Sequence, residues 1–131
     1  MRVAGLISGT SMDGIDVAVI DIGESIQVVA AKTVPYPPEV RDAILSVSNR
    51  DTHTAAIARL NFLLGELFAD AVKQAGVPLE TIELIGSHGQ TIFHEGRPMD
   101  YLGRQVASTM QIGEPAIITP SNTSIAALYG V

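Results

Sequence analysis

Glycines, hydroxyl side chains and aspartates are concentrated in one short stretch near the start of the sequence, GLISGTSMDGID at residues 5–16. Gly9 and Gly14 are separated by four residues, which is the glycine spacing of a Walker A phosphate-binding loop. Ile15 and Asp16 stand where that loop requires lysine and then serine or threonine, so a Walker A site is excluded. A Rossmann fingerprint is excluded too, because no G-x-G-x-x-G occurs. The stretch therefore suggests phosphate binding without a lysine.

A glycine-rich β-hairpin turn offers such a mechanism. Backbone N–H groups and the hydroxyls of Thr10 and Ser11 can point at phosphate oxygens. Asp13 or Asp16 can hold Mg²⁺, directly or through water, and the ion then supplies the missing positive charge. The alternative is a plain tight turn, because Gly, Ser, Asp and Thr are the ordinary turn residues. The length of the polar run favours the functional interpretation, since a minimal hairpin needs only about two loop residues.

A second polar segment, SHGQT at residues 87–91, follows a predicted strand, and Gln111 lies at the end of another. His88 is a candidate general base, a ligand-binding residue or a structural residue at a strand end, and the sequence leaves these interpretations open. A metal site formed by His88, His94 and Glu95 is disfavoured, because their spacing matches no standard site.

The elements that position these residues are predicted from hydrophobic periodicity and turn signals. The predicted strands are residues 2–7, 16–22, 26–34, 83–87 and 106–112. The first predicted helix opens at Pro37 and is followed by a polar break at residues 48–51. The second is capped by Thr52 or Thr54 and runs to Ala75, with Gly76 as its stop. Residues 95–104 are predicted to form a loop, and residues 119–131 show no clear period. The order β-β-β-α-α-β-β predicts an α/β fold in which an antiparallel meander joins a mixed five-stranded sheet with helices on its faces. Both polar segments then lie at strand ends, where open α/β sheets bind ligands.

The composition limits the function classes. The chain has 131 residues, a formal net charge of −6 and no cysteine. The lack of cysteine excludes disulfides, zinc thiolates and thiol catalysis. An acidic balance without a basic stripe disfavours nucleic-acid binding, and with it a metal-dependent nuclease. The N-terminal apolar run is too short for a signal peptide or a membrane span, so we expect a soluble cytoplasmic protein that does not act at a membrane.

Three motifs together resemble the anhydro-N-acetylmuramic acid kinase family. They read GLISGTSMDGIDVAVIDI, IGSHGQTIFHE and STMQIGEPAII, they occur in the family's order, and the match covers residues 3–118. The resemblance implies an actin-like ATPase lobe of the ribonuclease H-like class, as in the sugar kinase, Hsp70 and actin superfamily. Residues 1–131 would form a single domain similar to the N-terminal lobe of a two-lobed kinase, and the second lobe is absent from this sequence.

The resemblance also implies a reaction. The family uses ATP and Mg²⁺ to convert 1,6-anhydro-N-acetylmuramic acid to N-acetylmuramic acid 6-phosphate in peptidoglycan recycling. Water opens the anhydro ring at the anomeric carbon, while the freed O6 takes the γ-phosphate. The residues implied to bind the nucleotide are Gly9, Thr10, Ser11, Met12, Asp13, Gly14, Ile15 and Asp16. Those implied to bind the amino sugar are His88, Gln90, Thr91 and Gln111. Asp13 or Asp16 would bind the Mg²⁺ ion. A homodimer is an open alternative to a monomer.

The sequence departs from the family in its length and in its last residues. Family members are longer, and the aspartate that activates the water belongs to the second lobe, so no catalytic residue is expected in this chain. Residues 120–131 do not read like the family's continuation. A non-catalytic fragment that binds a phosphate ligand or a partner protein is therefore the alternative.

Overall fold

The computed structural model describes residues 1–118 and the backbone of residues 124–127. The strands are β1 (Arg2–Ser8), β2 (Gly14–Ile22), β3 (Ile26–Pro35), β4 (Leu84–Tyr101), β5 (Arg104–Ile112) and β6 (Ser124–Ala127). The helices are α1 (Pro38–Val47), α2 (Thr54–Gln74) and α3 (Pro115–Ile118), and one 3₁₀ turn, Leu79–Thr81, precedes β4.

The strands form one mixed sheet in the order β3-β2-β1-β4-β5, and β6 also pairs with β4. The pairs β1–β2 and β2–β3 are antiparallel, which confirms the predicted meander. β4 runs parallel to β1, and β1 ends beside Gln90, about midway along the longer strand. Its first residues also pair with β6 in parallel, and its later residues pair with β5 antiparallel. β6 adds a sixth strand within residues 119–131, where the sequence shows no clear period.

β4 is much longer than its predicted counterpart, and the loop predicted at residues 95–104 is wrong. The strand continues to Tyr101, and the chain reverses at Leu102 and Gly103, both with positive φ (51° and 79°). Pro98 is tolerated because the β4–β5 register is interrupted between Glu95 and Met99, and proline is accepted at such irregularities. The polar segment at residues 87–91 therefore lies inside a strand rather than in a turn.

Both long helices begin and end near their predicted limits. α1 follows Pro37 and has Pro38 in its first turn, where the missing N–H costs no helical hydrogen bond. α2 begins at Thr54, but His53 occupies the capping position without a side-chain cap, so the predicted threonine cap is wrong. After α2, Gly76 adopts a φ of +76°, the conformation that commonly ends a helix.

The core lies between the helices and one face of the sheet. Alternate strand residues point into it, and they are buried together with one side of each long helix. The buried apolar strand residues are Ala4, Leu6, Ile15, Val17, Val19, Ile85, Ile92 and Ile112. The buried residues of the long helices include Val40, Ile44, Val47, Leu60, Leu64, Phe68, Ala71 and Val72. The described helices pack on this face of the sheet, which confirms the predicted mixed sheet with flanking helices.

The opposite face of the sheet carries a shallow depression of about 740 Å³. Small residues form much of its floor, including Gly5, Ala18 and Gly86, and the polar side chains of Asp16 and His88 also line it. Two of the residues assigned from the sequence to different ligands thus share one surface.

Candidate functional site

The loop between β1 and β2 comprises residues 9–13, at the sheet edge where β1 ends. Met12 adopts a φ of 56°, and its N–H donates to the Gly9 carbonyl at 3.1 Å. The Met12 side chain packs against the core, whereas Thr10 and Ser11 are exposed. The loop is thus anchored by its apolar residue and presents its two hydroxyls to solvent.

Gln90 ties this loop to β4 from inside the protein. Its side chain has no exposed surface. Its Nε2 donates to the carbonyls of Gly9 (3.4 Å) and Thr91 (3.1 Å), and its Oε1 accepts from the Ser8 hydroxyl. The same hydroxyl lies 2.9 Å from the Gly14 carbonyl, so its single hydrogen is shared between two acceptors. The structure therefore gives Gln90 the geometry of a residue that holds the loop, not of one that faces an open surface.

Gly14 is required by a close backbone approach. A Cβ atom at this position would lie 2.4 Å from the Val34 carbonyl oxygen on β3. Beside it, the Tyr36 N–H donates to the Asp13 carbonyl at 2.9 Å, which joins the loop to the start of α1. The second glycine of the Walker-like spacing therefore lets β2 and β3 pack closely at the base of the loop.

Asp13 and Asp16 point in different directions. Asp13 lies at the loop's end with its side chain 71% exposed, and its Oδ1 is 3.4 Å from Nε of Arg41 on α1. Asp16 alternates with the buried Ile15 and so belongs to the opposite face, where it accepts a hydrogen bond from the Thr33 hydroxyl. Within the described part of the chain, no three His, Cys, Asp or Glu side chains come together to form a metal-binding group. Each carboxylate has the oxygen ligands that Mg²⁺ prefers, and each would contribute to a metal site singly.

His88 lies on the open face of the sheet, beside a bulge in β4. Leu6 pairs with Ser87 and Ser8 pairs with Gln90, so two residues of β4 oppose one of β1. Gly89 takes a φ of +75° there, and a Cβ atom on it would lie 2.7 Å from the Ile112 carbonyl oxygen. The Nδ1 atom of His88 is buried and has no hydrogen-bond partner among the described residues.

Thr91 and Gln111 are brought together on neighbouring strands. They are direct pairing partners, and Nε2 of Gln111 donates to the hydroxyls of Thr91 (3.2 Å) and Thr109 (2.7 Å). Gly113 fixes the end of β5, because its N–H donates to Oδ1 of Asn61 at 2.7 Å. Both side chains remain partly exposed, so they form a polar patch one strand away from the β1–β2 loop.

Ser8, Thr33, Tyr36 and Arg41 contact the predicted site residues but were missed by the sequence reasoning. The sequence offers two signals for these residues. Ser8 adjoins the glycine-rich stretch, and Arg41 is a basic residue next to the apolar stripe of its helix. Burial raises the pKa of Tyr36 to about 12, and the nearby Ser8 hydroxyl opposes that rise. The Tyr36 hydroxyl has no partner with good hydrogen-bond geometry among the described residues.

An ion pair lies at the start of β1, at the opposite end of the strand from the candidate site. Nε and Nη2 of Arg2 each lie 2.8 Å from one carboxylate oxygen of Asp21. This hydrogen-bonded pairing lowers the pKa of Asp21. The pair joins β1 to β2 away from the loop, so its role is structural.

None of the helices in residues 1–118 combines the length and the apolar composition that a membrane span requires.

Comparison with known proteins identifies the family. The model of the family described as "Anhydro-N-acetylmuramic acid kinase" matches residues 1–129. A protein of that name from Bacillus cereus (strain ATCC 10987 / NRS 248) is 43% identical over 136 aligned residues, which cover 95% of this chain and 35% of the relative. Another, from Caldanaerobacter subterraneus subsp. tengcongensis, is 44% identical over 126 residues, or 88% of this chain and 32% of the relative. The chain thus spans about a third of the length of the curated relatives it matches. The chain belongs to the anhydro-N-acetylmuramic acid kinase family.

Proposed function

We propose that this chain supplies the phosphate-binding half of an ATP-dependent kinase that converts 1,6-anhydro-N-acetylmuramic acid to N-acetylmuramic acid 6-phosphate. The observation that carries the proposal is the hydroxyl-bearing loop at residues 9–13, which Gln90 fixes at the carboxyl end of β1, beside the parallel strand β4. In open α/β sheets, ligands bind outside the carboxyl ends of the strands. The strand order is also that expected of an actin-like, ribonuclease H-like lobe, and we propose that fold for the chain.

In this proposal, residues 9–16 bind the phosphates of ATP. The exposed Thr10 and Ser11 hydroxyls and the loop N–H groups would donate hydrogen bonds to the phosphate oxygens, and Asp13 or Asp16 would hold Mg²⁺. The ion, when bound, neutralises charge on the transferred phosphoryl group. Phosphoryl transfer depends mostly on positioning and on charge stabilisation, which a loop fixed from inside the protein is suited to provide.

The sugar would lie beside the loop. We assign His88, Thr91 and Gln111 to direct contact with it, and Gln90 to the site through the loop that it holds, because Gln90 has no exposed atom. In the reaction, water adds to the anomeric carbon, the 1,6-anhydro bond breaks, and the freed O6 takes the γ-phosphoryl group from ATP. The residue that activates the water is proposed to lie outside this chain. Because ATP is the phosphoryl donor, the proposal places the protein in the cytoplasm.

The alternative is a chain that binds a phosphate ligand without catalysing transfer. Its supporting observation is the exposed Thr10 and Ser11 hydroxyls of the loop, which can bind phosphate oxygens whether or not transfer follows. We also propose that the chain forms a homodimer. Size-exclusion chromatography with light scattering tests this by measuring the mass of the particle in solution.

The two functions are separated by titrating the purified chain with Mg·ATP and then with the anhydro sugar in a calorimeter, alongside a phosphate-transfer assay. Binding with transfer supports the kinase, and binding without transfer supports the alternative. Asp16→Asn should weaken Mg·ATP binding, whereas Asp51→Asn, an exposed aspartate between the helices, should not. Unchanged binding by Asp16→Asn would remove Asp16 from the metal site.

A further inference from the structure

The phosphate loop proposed above lacks a cation of its own. Residues 9–16 contain two aspartates and no lysine or arginine. A magnesium ion carries two positive charges, fewer than the negative charges of a triphosphate and two carboxylates together. Like charges a few ångströms apart repel strongly at a protein surface. A further positive group near the loop would relieve this excess.

Arg41 is the one basic side chain in ionic contact with this loop among the described residues. It lies on α1, whose start is joined to the loop by the hydrogen bond from the Tyr36 N–H to the Asp13 carbonyl. Its Nε is 3.4 Å from Oδ1 of Asp13, and its side chain is 46% exposed. The guanidinium is thus held at the loop and open to solvent.

Neither terminal nitrogen of Arg41, Nη1 or Nη2, donates a hydrogen bond to any residue in the described part of the chain, so within that part the outer edge of the guanidinium is unengaged. Arg2 shows the contrasting case, because its Nε and Nη2 bind Asp21 and its Nη1 donates to Thr81. Arg2 is therefore fully engaged within the fold, whereas Arg41 retains the paired donors with which arginine binds phosphate.

We propose that Arg41 is a nucleotide-binding residue, whose terminal nitrogens donate to the phosphate oxygens of ATP while Asp13 orients the guanidinium through Nε. The assignment rests on the proposed phosphate-binding role of the loop. It gives the site a cation delivered by α1 instead of the lysine that Walker A loops carry within the loop itself. It also gives Asp13 an orienting role, whether or not this carboxylate reaches the metal.

Calorimetric titration of the 131-residue chain tests the proposal, with Mg·ATP and separately with inorganic tripolyphosphate plus Mg²⁺ as the probes. Arg41→Met removes the charge, Arg41→Lys keeps the charge without the paired donors, and Arg59→Met is the matched control, an exposed helical arginine away from the loop. We expect Arg41→Met to lose about tenfold or more in affinity for both probes, as is typical for a lost charged hydrogen bond. Arg41→Lys should recover part of the loss, and Arg59→Met should bind like wild type. The affinity of the wild type should also fall more steeply with added salt than that of Arg41→Met.

Wild-type affinity in Arg41→Met, or an equal loss in Arg59→Met, would overturn the assignment of Arg41 alone. If the wild-type chain bound neither probe, the proposed phosphate site would fail first, and the role of Arg41 with it. Melting temperatures identify a variant that does not fold. If Arg41→Met proves unfolded, wild-type affinity in Arg41→Lys would still contradict a contact through paired donors.

Discussion

The Ser8 hydroxyl is hydrogen-bonded to the Gln90 side chain across two parallel strands, although the residues are 82 positions apart in the sequence. Through this contact the end of β1 and the middle of β4 are held in one register, and the loop that follows Ser8 is fixed from below. The amide of Gln90 also binds the Gly9 carbonyl, so one buried side chain links all three parts.

Gln90→Leu should therefore destabilise the chain and loosen the loop together. Leucine has a similar volume but no amide group. The Gly9 carbonyl and the Ser8 hydroxyl therefore lose the hydrogen bonds that the Gln90 amide makes with them. We expect a loss of about 2 kcal/mol in the free energy of unfolding, the usual cost of unpaired buried polar groups. Urea denaturation measures it, with Gln105→Leu as the control because Gln105 is exposed on β5. Equal stability of the two variants would show that the buried amide contributes little.

Gly14→Ala should be destabilising because the added methyl group has no space. Its position 2.4 Å from the Val34 carbonyl oxygen would force β2 and β3 apart. We expect a loss of roughly 1–3 kcal/mol, as for other overpacked positions. Gly23→Ala is the matched control, since a Cβ at Gly23 meets nothing within 4 Å. Urea midpoints that fall equally in both variants would contradict the close approach at Gly14.

The Arg2–Asp21 pair should make stability depend on acid pH. Because the pKa of Asp21 is lowered in the folded chain, its contribution is present above the unfolded pKa, near 3.8, and is lost as pH falls through the lower folded pKa. Melting temperatures from neutral pH down to about pH 3 should therefore fall more steeply for wild type than for Asp21→Asn. Identical slopes would mean that the pair has no effect on folding, and high salt should bring the slopes together.

Tyr36 should produce the opposite trend at alkaline pH. Since burial raises its folded pKa to about 12, its contribution is complete below the unfolded pKa, near 10.0, and is lost as pH rises toward the folded value. Tyr36→Phe removes this dependence and also a buried hydroxyl without a good partner, so the variant should be at least as stable as wild type at neutral pH. Denaturation at neutral and alkaline pH measures both effects. A less stable Tyr36→Phe at neutral pH would reveal a hydrogen bond to the hydroxyl.

The sequence was sufficient to predict the elements that depend on local signals. The meander of β1 to β3 follows from alternating apolar residues and short turns, and the start of α1 follows from its prolines. Residues 95–104 were mistaken for a loop because Gly96, Pro98 and Gly103 are turn residues when they are considered singly. The interrupted register that accommodates Pro98 depends on β5 and cannot be seen locally.

The candidate site was predictable as a set of segments but not as a geometry. Residue types and spacing predicted a phosphate-binding segment at residues 9–16, and the structure places this segment next to residues 87–91. The burial of Gln90 depends on its pairing with Ser8, and the contact of Arg41 depends on how α1 packs. Both are consequences of tertiary structure, so no periodicity in the sequence could indicate them.

The bulge at Gly89 changes which residues of β4 point toward the helices: the alternation before the bulge is out of step with the alternation after it. Before it, Ile85 and Ser87 point toward the helices; after it, Gln90 and Ile92 do so, an odd number of residues later. The extra residue shifts the in-and-out alternation of side chains by one position. The buried Gln90 therefore lies between the outward-facing His88 and Thr91. Removing Gly89 would cancel the shift and exchange inside for outside along the rest of the strand. A single glycine thus determines which side chains of the motif are buried in the fold and which ones face outward.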